Sequence, residues 1–403
     1  MPATREYGDL IVTLTSSYDF RWNDQGSGAD RDGGFWHPKP QGDLRALGSV
    51  AINNYNDLNN NWAVLLVGDN PSSRQPGKGP AVQAPVNFQG IWSDQGSGSN
   101  RDGSFWRPIP PQGYLSLGDV CWPGYGKPST DQVWCVRADL VADGVFAGGA
   151  IWDDRGSGAN GDASFWEITP GPRDSASEYL PALAGTFRCN WGYSAPDQSL
   201  AKVPVLYVPK GGFPPSPHPP RLTASTLPEV GETFSDTAHS SVTLPFTSLF
   251  APSDRASLDA LAGGGASPFC TVSKSVRWIV LRKFPNYQNI TISEVHKERT
   301  GMQTTTSTTT SHSMGISISA ETGYGLSKWS VSLNYQFSLS KTNSLQEIKE
   351  NIVEKTLTVE PNTVAIVWGK QVTIHGVRSD GPRMGGELSF NANEEIAVTT
   401  VAL

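Results

Sequence analysis

Cysteine is scarce in this chain: four in 403 residues, Cys121, Cys135, Cys189 and Cys270, with neither Cys-x-x-Cys spacing nor the density of a bridged scaffold. That scarcity makes a cysteine-held metal site improbable and leaves buried thiols or one incidental bridge. Long apolar runs are missing as well. No stretch of eighteen apolar residues occurs, so no transmembrane helix is expected. The opening Met1-Pro2-Ala3-Thr4-Arg5-Glu6 has no basic and apolar leader, and the chain is expected to be made soluble without a visible export signal. Basic residues are outnumbered, 31 Lys and Arg against 38 Asp and Glu, for a net charge of −7. A nucleic-acid partner, which needs clustered Lys and Arg to meet phosphates, is therefore not expected. His218, His239, His296, His312 and His375 are scattered without metal-ligand spacing.

Glycine and proline, by contrast, are plentiful, at 42 and 30 residues, and favour short strands joined by tight turns. The dominant feature is a repeat. The pattern Trp-x-Asp-x-Gly-Ser-Gly-x-x-x-Asp-x-x-Phe-Trp occurs at Trp22 to Trp36, Trp92 to Trp106 and Trp152 to Trp166, with starts 70 and 60 residues apart. Such spacing suits a unit of several short strands, and threefold repetition of an aromatic, turn-rich unit predicts a symmetric β architecture. Each copy closes on an apolar strand, at Trp62–Val67, Val133–Val136 and Val203–Val208.

Residues 209–220, PKGGFPPSPHPP, are too rich in Pro and Gly for a strand or helix and are read as a linker. The expected division is 1–208, a three-repeat binding domain; 209–220, the linker; and 221–403, a different β domain. In the last, a short helix is expected over Ser253–Leu261, capped by Ser253 and stopped at Gly263-Gly264-Gly265. Core strands are expected at Val276–Leu281 and Val364–Trp368, with a final strand pair at Leu388–Phe390 and Val398–Val401.

Between them lies a second informative segment. Thr304 to Ser311 is eight hydroxyl residues in succession, after which Met314, Ile316 and Ile318 alternate with small polar residues, and Tyr324 sits in a turn. The return run places Trp329, Val331, Leu333, Tyr335, Phe337 and Leu339 on one face and Ser330, Ser332, Asn334, Gln336, Ser338 and Ser340 on the other. That length and uncharged alternation suit a transmembrane β-hairpin, provided that hairpins from several copies close a barrel. An amphipathic hairpin covering its own core gives the same alternation. The absence of charge on the polar face, the long Ser/Thr tract, and Tyr324 and Trp329 at anchor positions favour the membrane reading.

In each repeat two aspartates flank the Gly-Ser-Gly turn: Asp24 and Asp32, Asp94 and Asp102, Asp154 and Asp162. The motif is first of all a rigid corner whose Trp22, Trp36, Trp92, Trp106, Trp152 and Trp166, with the Phe beside them, pack inward. Two functional readings stand beside it. Paired carboxylates could hold Ca²⁺ through hard oxygen ligands, although two Asp make a thin site; no other cofactor is expected. Alternatively the loops form three equivalent recesses in which Trp or Phe stacks on a sugar and Asp accepts from its hydroxyls, threefold repetition giving avidity. Catalysis finds little support, because Gly-Ser-Gly is not the Gly-x-Ser-x-Gly elbow and no copy of the motif carries a His.

The run Phe105-Trp106-Arg107-Pro108-Ile109-Pro110-Pro111-Gln112-Gly113-Tyr114-Leu115-Ser116-Leu117-Gly118-Asp119-Val120, followed by Lys127-Pro128-Ser129 and Val133-Trp134-Cys135-Val136-Arg137, resembles the vacuolar protein sorting-associated protein 62 family over roughly residues 5 to 208. The repeats are also similar to the β-prism modules of some bacterial insecticidal perforin-like proteins. These resemblances imply a pseudo-threefold β-prism that binds membranes or glycans, and no catalytic residues. The third copy departs from the family pattern after Trp166. The carboxyl half resembles the aerolysin-type β-pore-forming toxins in its Ser/Thr-rich segment, its hairpin and its exit Thr356-Leu357-Thr358-Val359-Glu360-Pro361-Asn362-Thr363-Val364. Together these features lead to the expectation of an all-β protein: a pseudo-threefold β-prism, then an elongated aerolysin-like domain with an insertion hairpin. Its expected partners are a glycan or lipid receptor, the target-cell membrane and further copies of itself.

Overall fold

The computed structural model describes residues 3–146, 148–171, 178–209, 218–262, 267–301, 310–311, 317–318, 351–378, 388–392 and 396–403. Among the described residues strands dominate, and the fold is all-β apart from short helical turns and one α-helix. It divides into two compact units: Met1–Pro172 with Tyr179–Val208 and Pro245–Phe269, and Arg173–Glu178 with Pro209–Leu244 and Cys270–Leu403.

In the first unit each repeat builds the same three-stranded antiparallel sheet. The strands are Tyr18–Asn23, Gly34–Pro38 and Val50–Ile52 in the first copy, and Asn87–Ser93, Gly103–Ile109 and Val120–Pro123 in the second. The third uses Trp152–Asp153, Ala163–Pro170 and Phe187–Trp191. A register shift just before Trp22 and before Trp92 leaves one residue unpaired, the kind of bulge that re-aims a side chain. The expected closing strands appear as Val64–Asp69, Cys135–Arg137 and Lys202–Tyr207. The motif glycines adopt positive φ, from 71° to 92°, at Gly26, Gly28, Gly96, Gly98, Gly156 and Gly158, as a tight turn without Cβ permits. All four cysteines are buried and none forms a disulfide.

The expected helix forms at Arg255–Ala262, within the first unit, but its cap is Asp254. The Asp254 carboxylate accepts from Ser257 N at 2.8 Å, which makes it and not Ser253 the group that meets the open N–H donors of the first turn.

In the second unit the Phe269–Asn286 and Thr363–Arg378 strands pair along most of their length, with a shift between Val280 and Arg282. Trp278, Val280, Val364, Ile366 and Trp368 form a core on one side, and Leu357, Val359, Ala365, Val367 and Ile396 on the other. The last two strands do not pair with one another. Leu388–Asn391 and Ala397–Ala402 instead pair with successive stretches of the Thr363–Arg378 strand, 371–374 and 363–368, because that strand is long enough to take both. Ile292–Thr300 and Asn351–Val359 form a separate two-stranded ribbon. No helix among the described residues is long and apolar enough to cross a membrane, which says nothing of crossing by strands.

Candidate functional site

The motif residues are bound to one another in rotation. Trp22, Trp92 and Trp152 are buried at the centre with Phe35, Phe105, Phe165 and Phe187. Their rings meet mostly edge to face, with Trp22 to Trp152 at 5.4 Å and Phe35 to Phe105 at 4.7 Å, the geometry favoured by aromatic quadrupoles. A buried indole N–H needs an acceptor, and each finds it in the next copy. Trp22 Nε1 donates to Arg101 O at 2.8 Å, Trp92 Nε1 to Gly161 O at 2.5 Å, and Trp152 Nε1 to Arg31 O at 2.8 Å. The loops close the same cycle through their backbones: Asp30 N to Arg155 O, Asn100 N to Gln25 O and Asn160 N to Gln95 O, at 2.7 to 2.8 Å.

Asp24, Asp94 and Asp154 are equally buried. One oxygen of each accepts the N–H of Gly33, Gly103 or Ala163 at 2.8 to 3.0 Å, fixing the motif loop across its base. The second oxygen of Asp94 and of Asp24 also accepts, at 3.3 Å, from Trp22 and Trp152 of the neighbouring copy. Burial pushes all three carboxyls above the usual range, against these donors, which pull them down. Oxygens already engaged by N–H donors do not fit a Ca²⁺ site, and no group of three His, Cys, Asp or Glu suited to a metal occurs among the described residues. The stacking on a sugar foreseen for motif aromatics is not open to Trp22, Trp92 or Trp152, or to Trp36, which packs with Tyr18 and Val50. Trp106 and Trp166 are half-buried and donate to Ser104 and Ser164 Oγ. The first copy has Gly34 at that position, and Trp36 Nε1 has no partner among the described residues.

Only the second aspartates, Asp32, Asp102 and Asp162, reach solvent. Each is joined to a tyrosine that the sequence reading passed over. The Tyr125 hydroxyl donates to Asp102 at 3.1 Å and that of Tyr193 to Asp162 at 3.0 Å, while in the first copy Asp24 and Asp32 act electrostatically on Tyr55. Partial burial and these aspartates raise all three phenols, Tyr193 to about 12. Tyr55 and Tyr125 stand equally far behind Trp36 and Trp106, but Tyr193 stands further behind Trp166, which hid the pattern.

The copies differ at one position of this packing. A Cβ on Gly103 would lie 2.4 Å from the Trp22 ring, and one on Gly33 2.6 Å from Trp152, whereas the third copy carries Ala163 there. Trp22 is wedged among Phe35, Phe105, Trp92 and Trp152 and cannot withdraw. Gly103→Ala is therefore expected to destabilise the protein by about 1–3 kcal/mol in urea unfolding, as overpacking does; unchanged stability would contradict this picture of the core.

Residues 3–210 match the family model of vacuolar protein sorting-associated protein 62, just over half of the chain. The chain belongs to that family. No curated protein matches it. Among solved structures, GNIP1Aa from Chromobacterium piscinae is 26% identical, with 47% of this chain and 35% of that chain covered and a TM-score of 0.38. Cry35Ab1 is 9% identical, with 98% of this chain and 90% of that chain covered and a TM-score of 0.28. The present chain thus spans about a third of the length of GNIP1Aa. The family match takes in all three repeats.

The residues expected to form a membrane hairpin, Met314, Ile316, Tyr324, Trp329, Val331, Leu333, Tyr335, Phe337 and Leu339, lie outside the described residues. Ile318 falls in a two-residue strand, Ser317–Ile318, paired with Thr310–Ser311. What the structure does give is the base of that segment. In the ribbon, Ile292 faces Val359 and the register runs unbroken to Thr300 opposite Asn351, so the chain leaves and re-enters at one end of a closed pair of strands. The ribbon is largely exposed, with Val295 and Ile352 open to solvent, and Lys297 bridges to Glu354 at 2.5 Å across it.

Proposed function

We propose that this chain is a β-pore-forming toxin. Its three-repeat unit docks on a glycan or lipid of a target cell, insect gut being the target implied by resemblance, and copies gathered there insert the segment between Thr300 and Asn351 as a β-barrel. The observation that carries the reading is the paired exit at Thr300 and Asn351: a chain that departs and returns at adjacent positions of a two-stranded ribbon is placed to extend that ribbon as a hairpin. The twelve-residue alternation from Trp329 to Ser340 supplies one apolar and one uncharged face for it. A single hairpin leaves unpaired backbone groups that lipid cannot satisfy, so insertion requires several copies closing a ring. Trp329, Val331, Leu333, Tyr335, Phe337 and Leu339 then face lipid, and Ser330, Ser332, Asn334, Gln336 and Ser338 the lumen. Burial raises Cys121 and Cys189 far above the usual thiol range and Cys135 to about 12, so none of these three is a ready thiolate nucleophile.

Dye release from liposomes, red cells and insect midgut cells tests the reading against a Leu333→Asp variant. A carboxylate on the lipid-facing side at mid-membrane is destabilising in every copy of the ring, though by less than the about 2–4 kcal/mol of an Arg or Lys, so release by the parent and none by the variant, with surface attachment equal, is expected. Attachment without release by the parent would instead mark a non-lytic lectin or lipid-binding protein.

A further inference from the structure

Trp191 is 64% exposed, while the other described tryptophans are buried or half-buried. It ends the Phe187–Trp191 strand opposite Ala163, where the second copy has Pro123 opposite Gly103. Its place depends on a second change. A Cβ on Gly161 would come 2.5 Å from the Trp191 ring, so the indole lies against a bare Cα. The first two copies carry Arg31 and Arg101 at that position, and either side chain would displace the ring. The cation of the third copy stands elsewhere, at Arg155, where the others have Gln25 and Gln95. Its guanidinium lies 4.3 Å from the Tyr193 ring centre and 3.2 Å from Asp153, and the Tyr193 hydroxyl engages the exposed Asp162.

We infer that this altered apex of the third copy, Trp191 with Asp162, Tyr193 and Arg155, binds a terminal pyranose of a surface glycan. An open aromatic face attracts the partly positive C–H edge of a sugar ring, and carboxylate, phenol and guanidinium beside it supply the acceptors and donors that hydroxyls need. The adjacent guanidinium opposes a quaternary ammonium, and the adjacent carboxylate opposes a phosphate, so a neutral polyhydroxyl ligand fits the charge pattern best. One small aromatic face is too little for an acyl chain. This deepens the docking step and rests on the pore-forming reading for its purpose, but its test needs no membrane.

Full-length protein is passed over surfaces of albumin bearing galactose, glucose, mannose or N-acetylglucosamine, and over phosphocholine vesicles. Saturable binding to at least one sugar surface is expected, weakened about tenfold by Trp191→Ala and by Asp162→Asn, and unchanged by Tyr287→Ala, an exposed aromatic of the second unit. Near-ultraviolet circular dichroism checks that the Trp191 variant keeps the buried aromatic core. No sugar binding, binding unaffected by Trp191→Ala, or binding to phosphocholine alone overturns the inference. Sugar binding without dye release would leave it standing and defeat the pore reading; release from sugar-free vesicles without sugar binding would do the reverse.

Discussion

Asp119→Ala is expected to destabilise the first unit by about 3–5 kcal/mol, enough to leave much of it unfolded at ambient temperature. Asp119 is fully buried and its carboxylate is the meeting point of two copies. One oxygen accepts from Arg107 Nε at 3.0 Å and Arg188 Nη1 at 2.8 Å, the other from Arg107 Nη2 and Cys189 N, both at 2.9 Å. Arg188 stands where the first two copies have Val50 and Val120, and it is itself buried. Removing Asp119 strands that guanidinium without a counter-charge, with the carbonyls of Ser116 and Leu200 and the Ser116 hydroxyl left to receive it. Arg188→Val, which restores the residue of the other copies, should recover part of the loss in the double variant. Urea unfolding of the three proteins measures it, and an Asp119→Ala protein as stable as the parent would show that the network carries no stability.

The second large effect depends on pH. His37 is buried, with Nδ1 against Ser49 Oγ at 2.9 Å and Nε2 against Gln132 O at 3.1 Å. Burial first, and then Arg21, lower its imidazole to about 4, against smaller opposite pulls from the Gln132 carbonyl and Asp19. A folded value below the unfolded one means that the unfolded chain takes up the proton first. The stability His37 contributes is thus complete above about 6.5 and is lost as pH falls toward 4, roughly 3 kcal/mol in all. Asp24, Asp94 and Asp154, raised by burial, act in the opposite sense, favouring the fold below the usual carboxylate range and losing that contribution as pH rises through their raised values. The difference between parent and His37→Gln isolates the histidine. The parent's advantage should shrink from pH 7 to pH 4; an advantage independent of pH would mean that His37 does not change charge between the folded and unfolded states in this range.

Much of this was legible in the sequence, and the reasons for the rest are physical. The three-copy organisation followed from the repeated Trp, Asp and Gly, because turn chemistry is local and positive φ at Gly26 or Gly96 needs no knowledge of the partner. The direction of the tryptophans was harder to weigh against ligand stacking, since the acceptor of Trp22 is the carbonyl of Arg101 in the next copy. Contacts between copies leave no spacing to read. Tyr125 and Tyr193 meet aspartates of their own copies, but the unequal spacing of Tyr55, Tyr125 and Tyr193 behind Trp36, Trp106 and Trp166 conceals the pattern, and Trp191 is placed only by the missing side chain at Gly161, which makes room for it. In the second unit alternation identified the strands but not their partners: a sixteen-residue strand at Thr363–Arg378 can take two short neighbours end to end, and nothing in Leu388–Asn391 or Ala397–Ala402 announces that.

Entry of the segment joining Thr300 to Asn351 into lipid, with alternate residues outward, is open to one direct measurement. The four native thiols are buried, so single cysteines placed from 329 to 340 can each carry an environment-sensitive fluorophore, with its emission read on protein bound to liposomes. Odd-numbered positions shifted to the blue and even-numbered positions left water-like, with period two, is the predicted result; emission that does not alternate, or that is the same with and without membrane, would contradict the account.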